Sequence, residues 1–302
     1  MRLPHHEFSS SSSSLIAVTG ATGKVGGAVA EQLRAGGLAP RLVVRSASRA
    51  PQWADDVAVA AYGDLRAATA ALTGVDVLLM VSASESADRL AQHRTFIDAA
   101  AAAGVRHVVY TSFLGAAQDA VFTLARTHWA TEEHLRASGM GFTLLRDSFY
   151  ADFLPDLAVD GVIAGPAGTG RVGAVARADV ARSATAVIRG LVAGGRRHDG
   201  AVSAVSAASA VYELTGPEAL TLGEAAAIIT ETTGRPTAYR EQTLEEAYAS
   251  RSVYGAPDWE VDAWVSTYTA IASGCLDRVT DDVERLTGRR PLGLAELLAG
   301  RR

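Results

Sequence analysis

Cysteine is almost missing from this 302-residue chain, which has only Cys275. One thiol forms no internal disulfide and, without a second, builds no zinc or dithiol redox motif. A reducing, cytoplasmic compartment is the expectation. Long hydrophobic runs are missing too: the apolar stretch at 75–82 stops after eight residues, far short of the roughly twenty that cross a bilayer. No membrane partner is expected. Positive charge is not in excess, since 28 Lys plus Arg face 33 Asp plus Glu for a formal net charge of −5. The basic residues are scattered rather than gathered in a stripe, which argues against a nucleic-acid partner. No His-Glu-x-x-His or Cys cluster occurs, and His128 and His134 are six apart, a spacing that does not share a helix face, so no metal is expected. A Gly-x-Ser-x-Gly elbow is absent, which leaves a serine hydrolase without support. Residues 165–172 mimic a phosphate-binding loop but carry Arg171 and Val172 where Lys and Ser or Thr belong; they read as a turn.

The chain is long enough, and at 48% hydrophobic residues apolar enough, to bury one large domain or two lobes. Residues 1–14, with two histidines and a run of six serines, read as a disordered tail. From Leu15 short apolar runs alternate with Ala-rich stretches of helical length, the pattern of βαβ units in a parallel sheet covered on both faces. Strands are predicted at 15–19, 41–45, 57–62, 75–81, 107–111 and 142–146, with helices at 26–34 and 87–103, the latter ending at Gly104. The expected fold is α/β: a Rossmann-type doubly wound parallel sheet over 15–150, with 174–210 returning to it. A smaller, interleaved C-terminal substrate lobe is assigned to 151–173 and 211–302. Within these parts the stretch 147–173 reads as loop, 179–192 as helix and 211–215 as strand. Thr221 with Glu224 reads as a capping box, and helices are expected around Trp259, Trp264 and Tyr268 and from Asp281.

The chemistry concentrates in Leu-Ile-Ala-Val-Thr-Gly-Ala-Thr-Gly-Lys-Val-Gly-Gly at 15–27. Gly20, Gly23 and Gly26 lie between a buried strand and a helix start. There they permit a tight turn, backbone approach to a pyrophosphate, and close helix-to-sheet packing, respectively. The helix N-terminus offers its unpaired N–H groups to phosphate. A dinucleotide site is therefore expected on this turn. At the end of the second strand, where an NAD site usually carries an acid, stands Arg45, followed by Ser46 and Arg49. A guanidinium there suits a 2′-phosphate, so NADP(H) is favoured and NAD(H) remains possible. Asp64 and Leu65 have two readings, bordering the adenine or starting a helix with Asp64 as its cap.

The loop 19–26, Arg45, Gly63-Asp64-Leu65, the run 105–112, and Leu144-Leu145-Arg146 leading to Phe149-Tyr150 together resemble the NmrA-like, atypical short-chain dehydrogenase/reductase group. Ala91-Gln92-His93 and the segment from Thr127-His128 to Thr131-Glu132 make the chain most similar to its NAD(P)H:quinone oxidoreductase type 2 and triphenylmethane reductase branch. The resemblance covers roughly 15–298. It implies Gly20, Thr22, Gly23, Lys24 and Val25 as phosphate contacts, with Ala21 in the same cofactor-binding loop, Ser82, Thr111 and Ser112 along the nicotinamide ribose, and Phe149 and Tyr150 flanking nicotinamide and acceptor. Where ordinary short-chain dehydrogenases carry Tyr-x-x-x-Lys, this chain has His128-Trp-Ala-Thr-Glu132. An alcohol-dehydrogenase proton relay is thus not expected. His128, titrating near neutrality, is the candidate proton donor, and Tyr150 is the second catalytic candidate, with a packing role as its alternative.

The leading expectation is an NAD(P)H-dependent oxidoreductase passing hydride to a planar conjugated acceptor such as a quinone, whose electrophilicity leaves little for acid catalysis to do. Two alternatives stand beside it: a non-catalytic NmrA-like redox sensor, and a tailoring oxidoreductase or oxygenase acting on an aromatic polyketide quinone. The expected partner is a small aromatic molecule, and the protein a monomer or homodimer.

Overall fold

The structure, a computed structural model, describes residues 15–194 and 209–300. The tail expected at 1–14, and residues 195–208 of the segment expected to return to the sheet, lie outside the described residues. The chain begins with β1 (Ile16–Thr19), α1 (Lys24–Ala35), β2 (Arg41–Val44), β3 (Val57–Val59), α2 (Leu65–Leu72), β4 (Val77–Met80) and α3 (Arg89–Ala102). It continues through β5 (His107–Phe113), α4 (Thr123–Ala137) and β6 (Gly141–Asp147). After a 3-10 segment at Ala151–Leu157 come β7 (Ala158–Val159), β8 (Val162–Gly165), β9 (Arg171–Val172), α5 (Arg177–Gly194) and β10 (Ala210–Leu214). The remainder is β11 (Leu220–Thr221), α6 (Leu222–Thr233), β12 (Ala238–Glu241), α7 (Leu244–Ser252), α8 (Asp258–Ala272), α9 (Asp282–Thr287) and α10 (Leu294–Ala299).

Seven strands form one parallel sheet in the order β10-β6-β5-β4-β1-β2-β3. Every residue of β1, β4 and β5 is buried, as central strands covered on both faces require. One face packs against α1 and α5 through Val29, Leu33, Ala184 and Ile188. The other packs against α2 and α3 through Leu72, Phe96 and Ile97. Between β1 and β4 the chain order reverses, and this is where an open α/β sheet leaves its ligand crevice.

The sequence reading needs correction in three places. The strand expected at 211–215 within the smaller lobe is β10, which pairs in parallel with β6 and supplies the seventh strand of the large sheet. The stretch 147–173, read as loop, contains a 3-10 segment and three short strands. Strands of two to four residues are too short to show an alternating pattern. The strand expected over 57–62 ends at Val59, and Ala60 to Tyr62 turn towards the crevice instead. The capping box at Thr221 and Glu224 forms as expected. A separate apolar core of Ile163, Leu222, Ile229, Ile271 and Leu298 holds the smaller lobe. The Tyr150–Val175 bridge and the Val175 N–H bond to Phe149 O, 2.9 Å, stitch it to the end of β6.

Two glycine substitutions should move stability in opposite directions. A Cβ at Gly26 would lie 2.5 Å from Gly20 O, so Gly26→Ala is expected to cost about 1–3 kcal/mol by overpacking. In α5, a Cβ at Gly190 meets nothing within 4 Å, and Gly190→Ala should add about 0.4–1 kcal/mol. Urea unfolding of the two variants checks both signs.

Candidate functional site

A cleft of about 590 Å³ opens at the C-terminal ends of β1, β2 and β4. Its floor is the turn Gly20 to Gly26. Gly20 takes a left-handed conformation, φ +62°, and accepts the Gly23 N–H at 2.8 Å. Gly23 caps α1, so the first N–H groups of that helix, which have no partners within the helix, face the cleft together with its positive dipole end. Arg45 lines the opposite end, with Tyr62 beside it. This is a cradle for an elongated phosphorylated ligand: Gly20, Ala21, Thr22, Gly23, Lys24, Val25, Arg45 and Ser82 line it together.

Other expected contacts fall outside its walls. Asp64 accepts the Ala67 N–H at 2.9 Å and caps α2, so the cap reading holds, and neither Asp64 nor Leu65 lines the cleft. Ser46 hydrogen-bonds Ser48 at 2.9 Å on the 3-10 turn that ends at Arg49. None of these three residues lines the cleft. Thr111 stands behind the wall, where its Oγ1 accepts the Ser82 N–H at 2.8 Å.

A second cavity, about 460 Å³, adjoins the first and shares Ser82, Tyr150 and Arg177 with it. Phe113, Phe122 and Phe149 form one aromatic wall, with ring centroids 4.8–5.1 Å apart. Trp264, of the three aromatics expected on one helix, faces this cavity from α8, whereas Tyr268 is buried in the lobe core and Trp259 packs against it. Ser112, Phe149 and His128 also line this cavity rather than the cleft.

His128 is not the neutral-range proton donor expected from its residue type. It is 6% exposed, and the Arg89 guanidinium approaches Nε2 at 3.0 Å. A guanidinium has donors only, so Nε2 must be the unprotonated acceptor, and Nδ1 then donates to the Tyr110 hydroxyl at 3.0 Å. Burial first, then the charge of Arg89, holds His128 well below the usual histidine range. His93 is held the same way: its Nε2 accepts the Ala83 N–H at 2.9 Å, and burial with Arg89 lowers it to about 3.

Glu132, in the place of the usual lysine, has no solvent exposure. Arg146 forks onto it with Nε and Nη2 at 2.8 and 2.5 Å, Ser112 Oγ donates at 2.5 Å, and Arg136 adds a contact at 3.0 Å. All this fixes α4 against the ends of β5 and β6 and offers nothing to a ligand.

The composition and spacing gave no sign of Arg89, Asp147 or Arg177. Arg89 is 4% exposed, lines the second cavity and makes no ion pair among the described residues. Asp147, 4% exposed, accepts the Tyr150 O–H at 2.5 Å. Burial pushes its carboxyl up to about 7, and burial with that carboxyl drives the Tyr150 phenol well above its ordinary value. Arg177 lies over the Tyr150 ring at 4.8 Å. An acid at a strand end and an arginine at a helix start are common on surfaces, and only the tertiary fold turns these inward.

Because His93 and His128 stay neutral when folded and bind protons when unfolded, their stabilisation is present above pH 6.5 and lost as pH falls below it. Well below 6.5 the two together should contribute a slope of about 2.7 kcal/mol per pH unit. Urea unfolding between pH 6.5 and 5 should show His128→Gln losing about half of that slope. An unchanged slope would mean that His128 is already charged in the folded protein.

Comparisons with known proteins agree with this geometry. Residues 20–190 match the model of a family described as NAD(P)H-binding. Quinone oxidoreductase 2 of Escherichia coli strain K12 is 36% identical over 93% of this chain and 96% of its own length. An NAD(P)H azoreductase of Xenophilus azovorans is 29% identical over 93% and 96%. Among solved structures, the NADPH-dependent quinone oxidoreductase of Escherichia coli complexed with NADPH superposes with a TM-score of 0.81 at 34% identity, covering 95% of this chain and 99% of that one. With more than half its length matched by that model and a relative over 30% identical along nearly all of it, the chain belongs to the NAD(P)H-binding family.

Proposed function

We propose that this chain is an NAD(P)H-dependent oxidoreductase that reduces a planar conjugated acceptor such as a quinone by hydride transfer, with NADP(H) favoured over NAD(H). The observation that carries the reading is the pair of adjoining cavities with a common wall at Ser82, Tyr150 and Arg177. One is a glycine-floored cradle, the other an aromatic slot. A non-catalytic dinucleotide sensor has no need of the second.

The cradle fits a dinucleotide, because a cleft of about 590 Å³ runs over the glycine turn and the N-terminus of α1 and also takes in Arg45 and Ser82. In this reading Gly20 to Val25 hold the pyrophosphate by backbone N–H groups and the helix dipole. Arg45 meets the 2′-phosphate, and Ser82 borders the nicotinamide ribose. A reduced nicotinamide supplies the hydride. Phe113, Phe122 and Phe149 keep water away from the acceptor and hold its plane, so that positioning contributes much of the rate. Arg89, buried and in no ion pair among the described residues, stabilises the negative charge that builds on the acceptor oxygen. The relatives named above support the reaction class by their names, quinone oxidoreductase and azoreductase. With Cys275 free and exposed, we also assign the protein to the reducing cytoplasm.

Titration with NADPH and NADH, followed by nicotinamide fluorescence, and then addition of quinones while the reduced-dinucleotide absorbance is watched, tests the reading. Tight NADPH binding with quinone-dependent oxidation is expected. Binding without oxidation by any quinone would overturn the reductase assignment. Arg45→Ala should weaken NADPH by roughly 10- to 100-fold, the value of a charge-assisted contact, and leave NADH almost unchanged.

A further inference from the structure

Among the described residues, six buried side-chain atoms have no hydrogen-bond partner: three lie on α5 away from the second cavity, and three, Asp147 Oδ1, Ser148 Oγ and Arg89 Nε, belong to residues lining it. Buried polar atoms are nearly always paired, so their convergence on a cavity wall marks where a polar ligand is met. The Asp147 carboxyl is half used, its Oδ2 taking the Tyr150 O–H and its Oδ1 taking nothing. Tyr150 in turn lines both cavities.

Across the sheet Asp147 faces Phe113 of β5 and Leu214 of β10, both apolar. Arg146, one residue back, is committed to Glu132. From α5 comes Arg177, over the Tyr150 ring, and α3 brings Arg89. From α4 comes His128, held neutral, and before α3 lies Glu85, whose carboxyl burial also pushes up. No ion pair holds Asp147 among the described residues.

We propose that Asp147 and Tyr150 act as a pair that delivers the proton completing reduction of the acceptor, the role for which His128 is unsuited. This rests on the reductase reading above. When Asp147 is protonated, its O–H donates to Tyr150 Oη, reversing the bond direction and freeing the phenol proton for the cavity. As reduction leaves negative charge on an acceptor oxygen, the Tyr150 O–H bond breaks and an O–H bond forms on that oxygen. The Asp147 O–H bond breaks at the same time and restores the phenol. Two protons move in relay, so that one is delivered net and no electrons are transferred, and the Asp147 carboxylate is reprotonated from solvent. Tyr150 is the catalytic residue of the pair, and Asp147 positions and recharges it. A carboxyl raised to about 7 keeps its proton below neutral pH and still holds it in a sizeable fraction of molecules at neutrality, and a phenol held well above its ordinary value stays protonated there.

The test compares wild type, Asp147→Asn and Tyr150→Phe. With NADPH and a simple naphthoquinone, wild-type kcat should fall as pH rises through about 7, whereas Asp147→Asn should be slower by tenfold or more at pH 6 and flat with pH. Tyr150→Phe should lose kcat similarly, and KM should change little in either variant. An independent readout uses no dinucleotide. A folded-state carboxyl raised from 3.8 to about 7 gives stability that is present below 3.8 and lost as pH rises towards 7. The melting temperature of wild type relative to Asp147→Asn should therefore drop by several degrees between pH 5 and pH 8. A wild-type pH profile retained in Asp147→Asn, or a melting difference independent of pH, would overturn the proposal. If wild type oxidised NADPH with no quinone, the reductase reading itself would fall, while the melting comparison would still decide the ionisation of Asp147.

Discussion

A carboxylate cut off from water governs the geometry of the site. Glu132 reaches from α4 to Ser112 and Arg146, which are partners across β5 and β6. One side chain thereby locks a helix to two strands at the level where both strands open into the acceptor cavity. Such a pair is not a cheap source of stability, because burying the charges costs nearly what their attraction returns. Its value lies in register. With the fork closed, α4 presents His128 to the cavity and Thr131 to His93, and Phe113 is held at the strand end against Phe122 and Phe149.

Around that lock, the ionisable groups of the cavity do not carry their ordinary charges. His128 is neutral through burial and Arg89, and the Asp147 carboxyl is raised to about 7 by burial. Arg89 remains a cation whose contacts are the neutral Thr127 and His128. In a poorly hydrated slot one fixed positive charge acts over a longer range than on a surface. In the proposed relay the helix keeps a structural acid, Glu132, where Tyr-x-x-x-Lys would put its lysine, and the phenol comes from the segment after β6.

The large sheet and the cradle could be read from the amino-acid order because their signals are local. Continuous apolar strands, a glycine triplet between strand and helix, and Arg45 at a strand end each lie within a few residues. What could not be read depends on contacts across the chain. Residues 210–214 look like any short strand, and nothing in them says that they lie beside β6 rather than in the smaller lobe. Asp147 and Arg89 carry no motif, and their burial arises only when β10, α5 and the smaller lobe close over them. His128 is legible from its place in a helix, but its neutrality comes from burial by the finished fold and then from an arginine 39 positions away.

The late arrival of β10 has a consequence for how the protein is made. β6 carries Leu144 and Leu145, both fully buried in the finished sheet, yet its outer edge is covered only by a strand that comes roughly 70 residues later. At ribosomal rates of about 5–20 residues per second, that edge waits roughly 4–14 s with its N–H and C=O groups unpaired. An open, apolar strand edge is a template for any other extended chain. For the nascent protein, those seconds are the interval in which a chaperone has most to protect.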